Sequence, residues 1–90
     1  FVIPDTINAL LTARIDRLED QTRRLAKTAA VIGRNFFYRI LRGVENSIQD
    51  IVNRLTYLQE IQMIIEGERL KEIEYFFKHA LTQEAAYESI

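Results

Sequence analysis

Met63-Ile64-Ile65-Glu66-Gly67-Glu68-Arg69-Leu70-Lys71-Glu72-Ile73-Glu74-Tyr75-Phe76-Phe77 is the stretch in which helical spacing of apolar residues gives way to another pattern. Met63, Ile64 and Ile65 favour extended backbone, and Gly67 with its charged neighbours marks a turn. Beyond it, Ile73, Tyr75 and Phe77 alternate with Glu74, Phe76 and Lys78. A period of two over a short run predicts a β-hairpin, with Tyr75 and Phe77 on the covered side and Glu66, Glu68, Arg69 and Lys71 at a polar tip.

Everything before this hairpin reads as helix, apart from one short break. Ile7, Leu10, Leu11, Ile15 and Leu18 share a helical face, and Pro4 followed by Asp5 and Thr6 supplies a start, so a helix is expected over 5–18. Asp20 is the expected cap of a second helix with Thr22, Leu25, Ala26, Ala29 and Ile32 on its inner face, and Gly33 is expected to close it in a left-handed conformation. Phe36, Phe37, Ile40 and Leu41 predict a short extended segment and a brief helix ending near Gly43. Ser47 and Asp50 have capping-box spacing, and Ile48, Ile51, Val52, Leu55 and Leu58 mark a helix over 47–60.

After His79, Leu81, Ala85, Ala86 and Ile90 return to helical spacing. The pattern is still running at Ile90 and the chain begins at Phe1, so both ends are expected to be cuts in a longer protein. The expected fold is mainly α with a small β-hairpin. Three consecutive helices followed by a two-stranded wing describe a winged helix, a three-helix core plus wing, here with an added helix at each end.

Composition narrows the functional classes. The 90 residues are 48% hydrophobic and 28% charged, a balance that packs rather than stays disordered. Twelve Lys and Arg against thirteen Asp and Glu leave a net charge of −1, so no broad positive field attracts nucleic acid or anionic lipid. With no cysteine and one histidine, disulfides and the usual zinc arrangements are disfavoured, and no cofactor is expected in this segment. No apolar run reaches the roughly 20 residues of a membrane span and no signal-peptide pattern is present, so a cytoplasmic location without membrane association is the expectation.

Candidate chemistry is sparse. A winged helix often binds DNA through its third core helix, and Gln49, Asn53 and Arg54 on helix 47–60 could read base edges. One positive charge against Asp50 and Glu60 on that face disfavours nucleic acid as a partner. Arg14, Arg17, Arg23 and Arg24 bracket Asp16, Glu19 and Asp20 and read as local ion pairs. Glu84 and Glu88 lie one helical turn apart on an expected solvated face. Phe36, Phe37, Tyr38 or Phe76 would form an exposed apolar patch if the chain were a protein-binding adaptor. His79 sits at a strand-to-helix junction, where imidazole can be structural or can meet an anion beside unpaired backbone donors. With no Gly-rich phosphate loop, nucleophile triad or metal cluster, no catalytic residue is expected.

Two stretches carry a resemblance: Ile3-Pro4-Asp5-Thr6-Ile7-Asn8-Ala9-Leu10-Leu11-Thr12-Ala13-Arg14-Ile15-Asp16-Arg17-Leu18 and Phe76-Phe77-Lys78-His79-Ala80-Leu81-Thr82-Gln83-Glu84-Ala85-Ala86-Tyr87-Glu88-Ser89. Together with Ala29-Ala30-Val31-Ile32-Gly33-Arg34-Asn35-Phe36 they resemble segments of predicted bacterial signal-transduction ATPases of the STAND class. In that family such segments follow an AAA-type ATPase domain, often with a nucleotide cyclase or helix-turn-helix regulator elsewhere in the protein. The resemblance implies that residues 1–19 connect from the ATPase lid and that residues 20–90 are a winged-helix domain packed on the ATPase domain of the same chain, with ADP or ATP and Mg held in the parent protein. It also implies a role for His79. The segment around it is similar to the methionine-histidine-aspartate motif whose histidine touches the β-phosphate of ADP, although here Lys78 and Ala80 replace the flanking residues. Self-association of such a segment alone would then be non-physiological.

Overall fold

The computed structural model describes residues 5–89. Its first helix, α1 (Asp5–Asp16), sends Ile15 into the core, as does Leu18 just beyond its end. The helix stops two residues short of the expected Leu18 because its last turn tightens, with Leu18 N–H donating to Ile15 C=O at 3.1 Å. Arg23 then reaches back to the released carbonyls of Asp16 and Leu18, at 3.1 and 3.2 Å. The expected contribution of Pro4 to this start lies outside the described residues.

Helix α2 (Asp20–Ile32) buries Thr22, Leu25, Ala26, Ala29 and Ala30, while Ile32 is half-buried at the end of that face. Its cap is Glu19 rather than the expected Asp20. The Glu19 carboxylate accepts from the N–H groups of Gln21 and Thr22 at 3.2 and 3.3 Å, and Asp20 is instead drawn to Arg23 at 2.7 Å. Gly33 closes the helix by donating to Ala29 C=O, but at φ 152°, ψ −171° it is not the left-handed residue expected. That backbone region is essentially restricted to glycine, and it turns the chain straight into a strand.

The strand is β1 (Asn35–Phe37), followed by α3 (Tyr38–Val44). The predicted hairpin is present as β2 (Ile64–Arg69) and β3 (Glu72–Phe77), but it is not alone: β1 pairs with the other edge of β3, giving an antiparallel sheet of order β1-β3-β2. Phe36 opposes Tyr75 and Ile64 opposes Phe77, and this face lies on the helices. Phe36 packs against both aromatics with ring centroids 5.9 Å apart. Ile73 has the alternation of Tyr75 and Phe77 yet is exposed, because it opposes Glu68 near the tip, past the helical layer.

The outer face of the sheet holds a buried carboxylate. Glu74 is only 8% exposed; Arg69 grips it with Nη2 at 2.9 Å and Nε at 3.1 Å, and Asn35 Nδ2 donates to it at 3.1 Å. The same guanidinium lies 4.8 Å from the centroid of the Phe37 ring. Gly67 is within β2 rather than at the turn, since its missing Cβ lets the Phe76 ring cross at a distance where a methyl would meet Cε1 at 3.2 Å.

Helix α4 (Ile51–Glu60) buries Ile51, Leu55 and Leu58 and begins four residues later than the expected 47. The Ser47–Asp50 capping box does not form: Asp50 is left-handed at φ 55°, ψ 40° and makes no side-chain cap. The intervening loop is needed to put Ile48 into the core, and Asp tolerates the conformation that re-aims the chain. At the other end, left-handed Gln62 and the bonds Met63 N–H to Leu58 C=O and Gln62 N–H to Gln59 C=O form a Schellman closure leading into β2.

Helix α5 (Ala80–Glu88) packs Thr82, Ala85 and Ala86 between α1 and α2. Gln83 Nε2 donates to Ala30 C=O at 2.6 Å and Lys27 Nζ to Ser89 C=O at 3.0 Å. The expected helical role of Ile90 lies outside the described residues. The whole is a small, mostly helical α/β domain with five helices and one three-stranded antiparallel sheet among the described residues. None of its described helices is long and apolar enough to cross a membrane.

The β2–β3 turn is Leu70-Lys71, with both residues left-handed at φ 55° and 61°. This is the type I′ pattern that Asn-Gly adopts without strain, whereas Leu and Lys carry a Cβ penalty. Replacing the pair, Leu70→Asn with Lys71→Gly, should therefore raise the unfolding free energy by about 1–2 kcal/mol, read as a higher urea midpoint with an unchanged slope.

Candidate functional site

His79 is the N-cap residue of α5, extended at φ −128°, ψ 137°, and exposed. Its carbonyl accepts from Thr82 N–H at 3.1 Å, but its imidazole does not cap the helix. The ring is thus available at a helix start whose first N–H groups receive no side-chain acceptor from the cap residue. Two backbone bonds fix this junction: Phe77 N–H donates to Arg34 C=O at 2.8 Å and Lys78 N–H to Met63 C=O at 2.9 Å.

These bonds place exposed Arg34 beside the strand end that leads to His79, a basic neighbour that sequence reasoning did not single out. The only signal for it was the glycine before it, where the chain leaves α2 and enters β1 in register with β3. Lys78 contributes less to the junction, because its Nζ donates to Gln62 Oε1 at the end of α4.

The residues considered for base reading do not form a row. Gln49 lies in the loop before α4, and Asn53 is exposed on the helix. Arg54 faces inward, its side chain 20% exposed: Nη1 pairs with the Glu19 carboxylate and donates to Thr22 Oγ1 at 2.9 Å, Nη2 donates to Gln21 Oε1 at 3.2 Å, and Nε donates to Gln49 C=O at 2.7 Å. One guanidinium thereby ties the start of α2 to the start of α4, a structural role that its sequence neighbourhood did not reveal.

Three of the four arginines of the cluster, Arg14, Arg23 and Arg24, are likewise committed within the fold, and only in part as local pairs. Arg23 pairs with Asp20, but Arg14 Nη2 donates to Ile61 C=O at 2.8 Å and Arg24 Nε lies 3.0 Å from Glu45 Oε2. Glu45 is a buried carboxylate that was not anticipated; Thr28 donates to its Oε1 at 2.7 Å, while Oε2 has the Arg24 charge beside it without an aligned hydrogen bond. Glu84 and Glu88 are exposed and line a groove of about 210 Å³ with Gln83 and Tyr87. The aromatic patch considered for an adaptor does not form, since Phe36 is buried and Phe37, Tyr38 and Phe76 are partly covered. Among the described residues no group of three or more His, Asp or Glu side chains gathers as a metal-ligand set.

Two carboxylates carry the acid sensitivity of the fold. The backbone N–H of Gln21 is the main cause that lowers the Glu19 pKa below its ordinary 4.5, with Arg54 adding to it, and Arg69 does the same for Glu74 with help from Asn35. A depressed folded-state pKa contributes stability that is present above about 4.5 and is lost as the pH falls through the folded value. The urea midpoint should therefore hold from neutrality down to about pH 5 and then fall, and Glu74→Gln should flatten that fall. Arg54→Ala should lower the urea midpoint, measured by the same denaturation, because it removes the donor shared by Glu19, Thr22 and Gln21.

No family model, curated protein or solved structure matches the chain.

Proposed function

We propose that this chain is a winged-helix regulatory module of a STAND-type ATPase, without catalytic residues of its own, that packs on the nucleotide-binding domain of the same parent protein and helps distinguish ADP from ATP. The observation that carries the reading is the exposed imidazole of His79 at the start of α5, where it is not used as a cap. The element order supports it as well: α2, α3 and α4 precede the β2–β3 wing, with α1 in the place of a connector and α5 after the wing.

The residues present fit a phosphate. An imidazole beside a helix N-terminus favours added negative charge, and nothing on its own helix start competes as a side-chain acceptor. The nucleotide supplies the charged phosphate chain, held with Mg on the parent's ATPase domain. His79 would contact its end from this side, so that one nucleotide state keeps the two domains together and the other releases them. Arg54 is occupied within the fold and Gln49 lies off α4, which weighs against the rival reading of a DNA-binding domain.

The test is ADP release from the parent protein containing this segment and its ATPase domain. A charge-assisted contact corresponds to about tenfold or more in off-rate, so His79→Ala should speed ADP release by that order while leaving the melting temperature of this segment unchanged. An unchanged off-rate in that variant overturns the proposal.

A further inference from the structure

Alternation of the backbone bonds leaves one edge of the sheet open. Lys78 N–H donates to Met63 C=O, and the register that sets Ile64 against Phe77 makes Met63 and Lys78 opposite residues. The bonded pairs across β2 and β3 are then Ile65 with Phe76, Gly67 with Glu74 and Arg69 with Glu72. Ile64, Glu66 and Glu68 therefore turn their N–H and C=O groups away from β3, toward the free side of β2. Ile64 is buried at the strand start, but Glu66 and Glu68 are exposed, and among the described residues no other backbone group bonds theirs. The sheet's other edge, β1, is only three residues long and runs directly into α3.

The side chains along β2 define what fits this edge. Glu66 and Glu68 lie two residues apart on one side of the strand, and among the described residues neither is in an ion pair. Arg69 is held by Glu74 and Arg39 by Glu72, while Glu66 accepts from the neutral Gln59 amide at 3.4 Å. Between the two acids, Gly67 presents no side chain to the opposite face, where the edge of the Phe76 ring and exposed Ile65 form an apolar floor. A strand added here sets alternate side chains against Glu66 and Glu68, and the one between them against Phe76 and Ile65.

We propose that β2 receives an extended segment of a separate protein, in the pattern cation, apolar, cation, as a fourth strand of the sheet. Backbone bonds to Glu66 and Glu68 supply the affinity and the two carboxylates the choice of partner. Charges on an edge guard it against self-pairing. Here the guard is of one sign, so β2 of a second copy would bring glutamates against glutamates, and the phosphates of a nucleic acid or lipid would meet the same repulsion, whereas a basic strand is admitted. The proposal stands independently of the nucleotide reading.

Titration of this chain with the blocked peptide Lys-Val-Lys-Val-Lys up to about 1 mM, followed by NMR amide shifts and hydrogen exchange, tests it. Binding should slow exchange of the Glu66 and Glu68 N–H groups and leave that of Gly67, already bonded to β3, unchanged. A peptide of the same composition with its lysines together, and Glu-Val-Glu-Val-Glu, should bind about tenfold or more weakly. Of two peptides N-methylated on the lysines or on the valines, one should lose binding and the other keep it, because only alternate residues of an added strand face β2. Glu66→Lys with Glu68→Lys should weaken the lysine peptide about tenfold or more and admit Glu-Val-Glu-Val-Glu, with circular dichroism melts showing that the fold is kept. No binding, equal binding of the rearranged peptide, loss with both or with neither N-methylated peptide, or an unchanged affinity in the folded double variant overturns the proposal.

Discussion

The contact of Phe36 with Tyr75 and Phe77 is the constraint on which the rest of this small domain depends. It joins a three-residue strand to the second strand of a hairpin nearly 40 residues later, and it makes β3 the central strand of a three-stranded sheet. A two-stranded hairpin is marginal alone, so the third strand and the helical layer beneath it give β2 and β3 their stability. The glycine-only backbone of Gly33 serves this contact, since it delivers β1 to the edge of β3 directly from the end of α2.

Polar ties then close the molecule from outside the core. Arg54 fastens α4 to the cap of α2, Arg69 of β2 ties in Glu74 of β3 and Phe37 of β1, and Arg24 stands over buried Glu45. Arg54 and Arg69 are arginines whose planar donors meet more than one acceptor or ring, the arrangement in which guanidinium outperforms a lysine ammonium. Their engagement has a functional consequence. The positive charges that look available in the sequence are largely spent on the fold, and the exposed chemistry that remains is concentrated at His79 and at the Leu70 turn.

Those remaining features lie where the local rules of stability are relaxed. His79 occupies a cap position without capping, and Leu70-Lys71 occupies a turn that suits Asn-Gly. Departures of this kind are expected where a surface serves a partner rather than its own domain. Both are also small in energy, so a chain of this size can carry them while its core remains intact.

Much of the architecture was legible before any coordinates. The period-two run at Ile73, Tyr75 and Phe77, the helical face of Leu25, Ala26 and Ala29, and the junction at His79 are local patterns, and local patterns survive because side-chain direction follows backbone period. The element ends were less legible. Glu19 and Asp20 are both capable caps, and the choice fell to Glu19 because Arg54, 35 residues away, holds its carboxylate in place while Arg23 takes Asp20. Ser47 and Asp50 had the spacing of a box, but burying Ile48 required a loop there. By itself, then, the sequence determined which segments are helix or strand and which faces are apolar. Only the tertiary structure decided that β1 completes the sheet, that Arg54 belongs to the fold, and that Glu45 and Glu74 are buried, because each of these depends on partners brought together from distant parts of the chain.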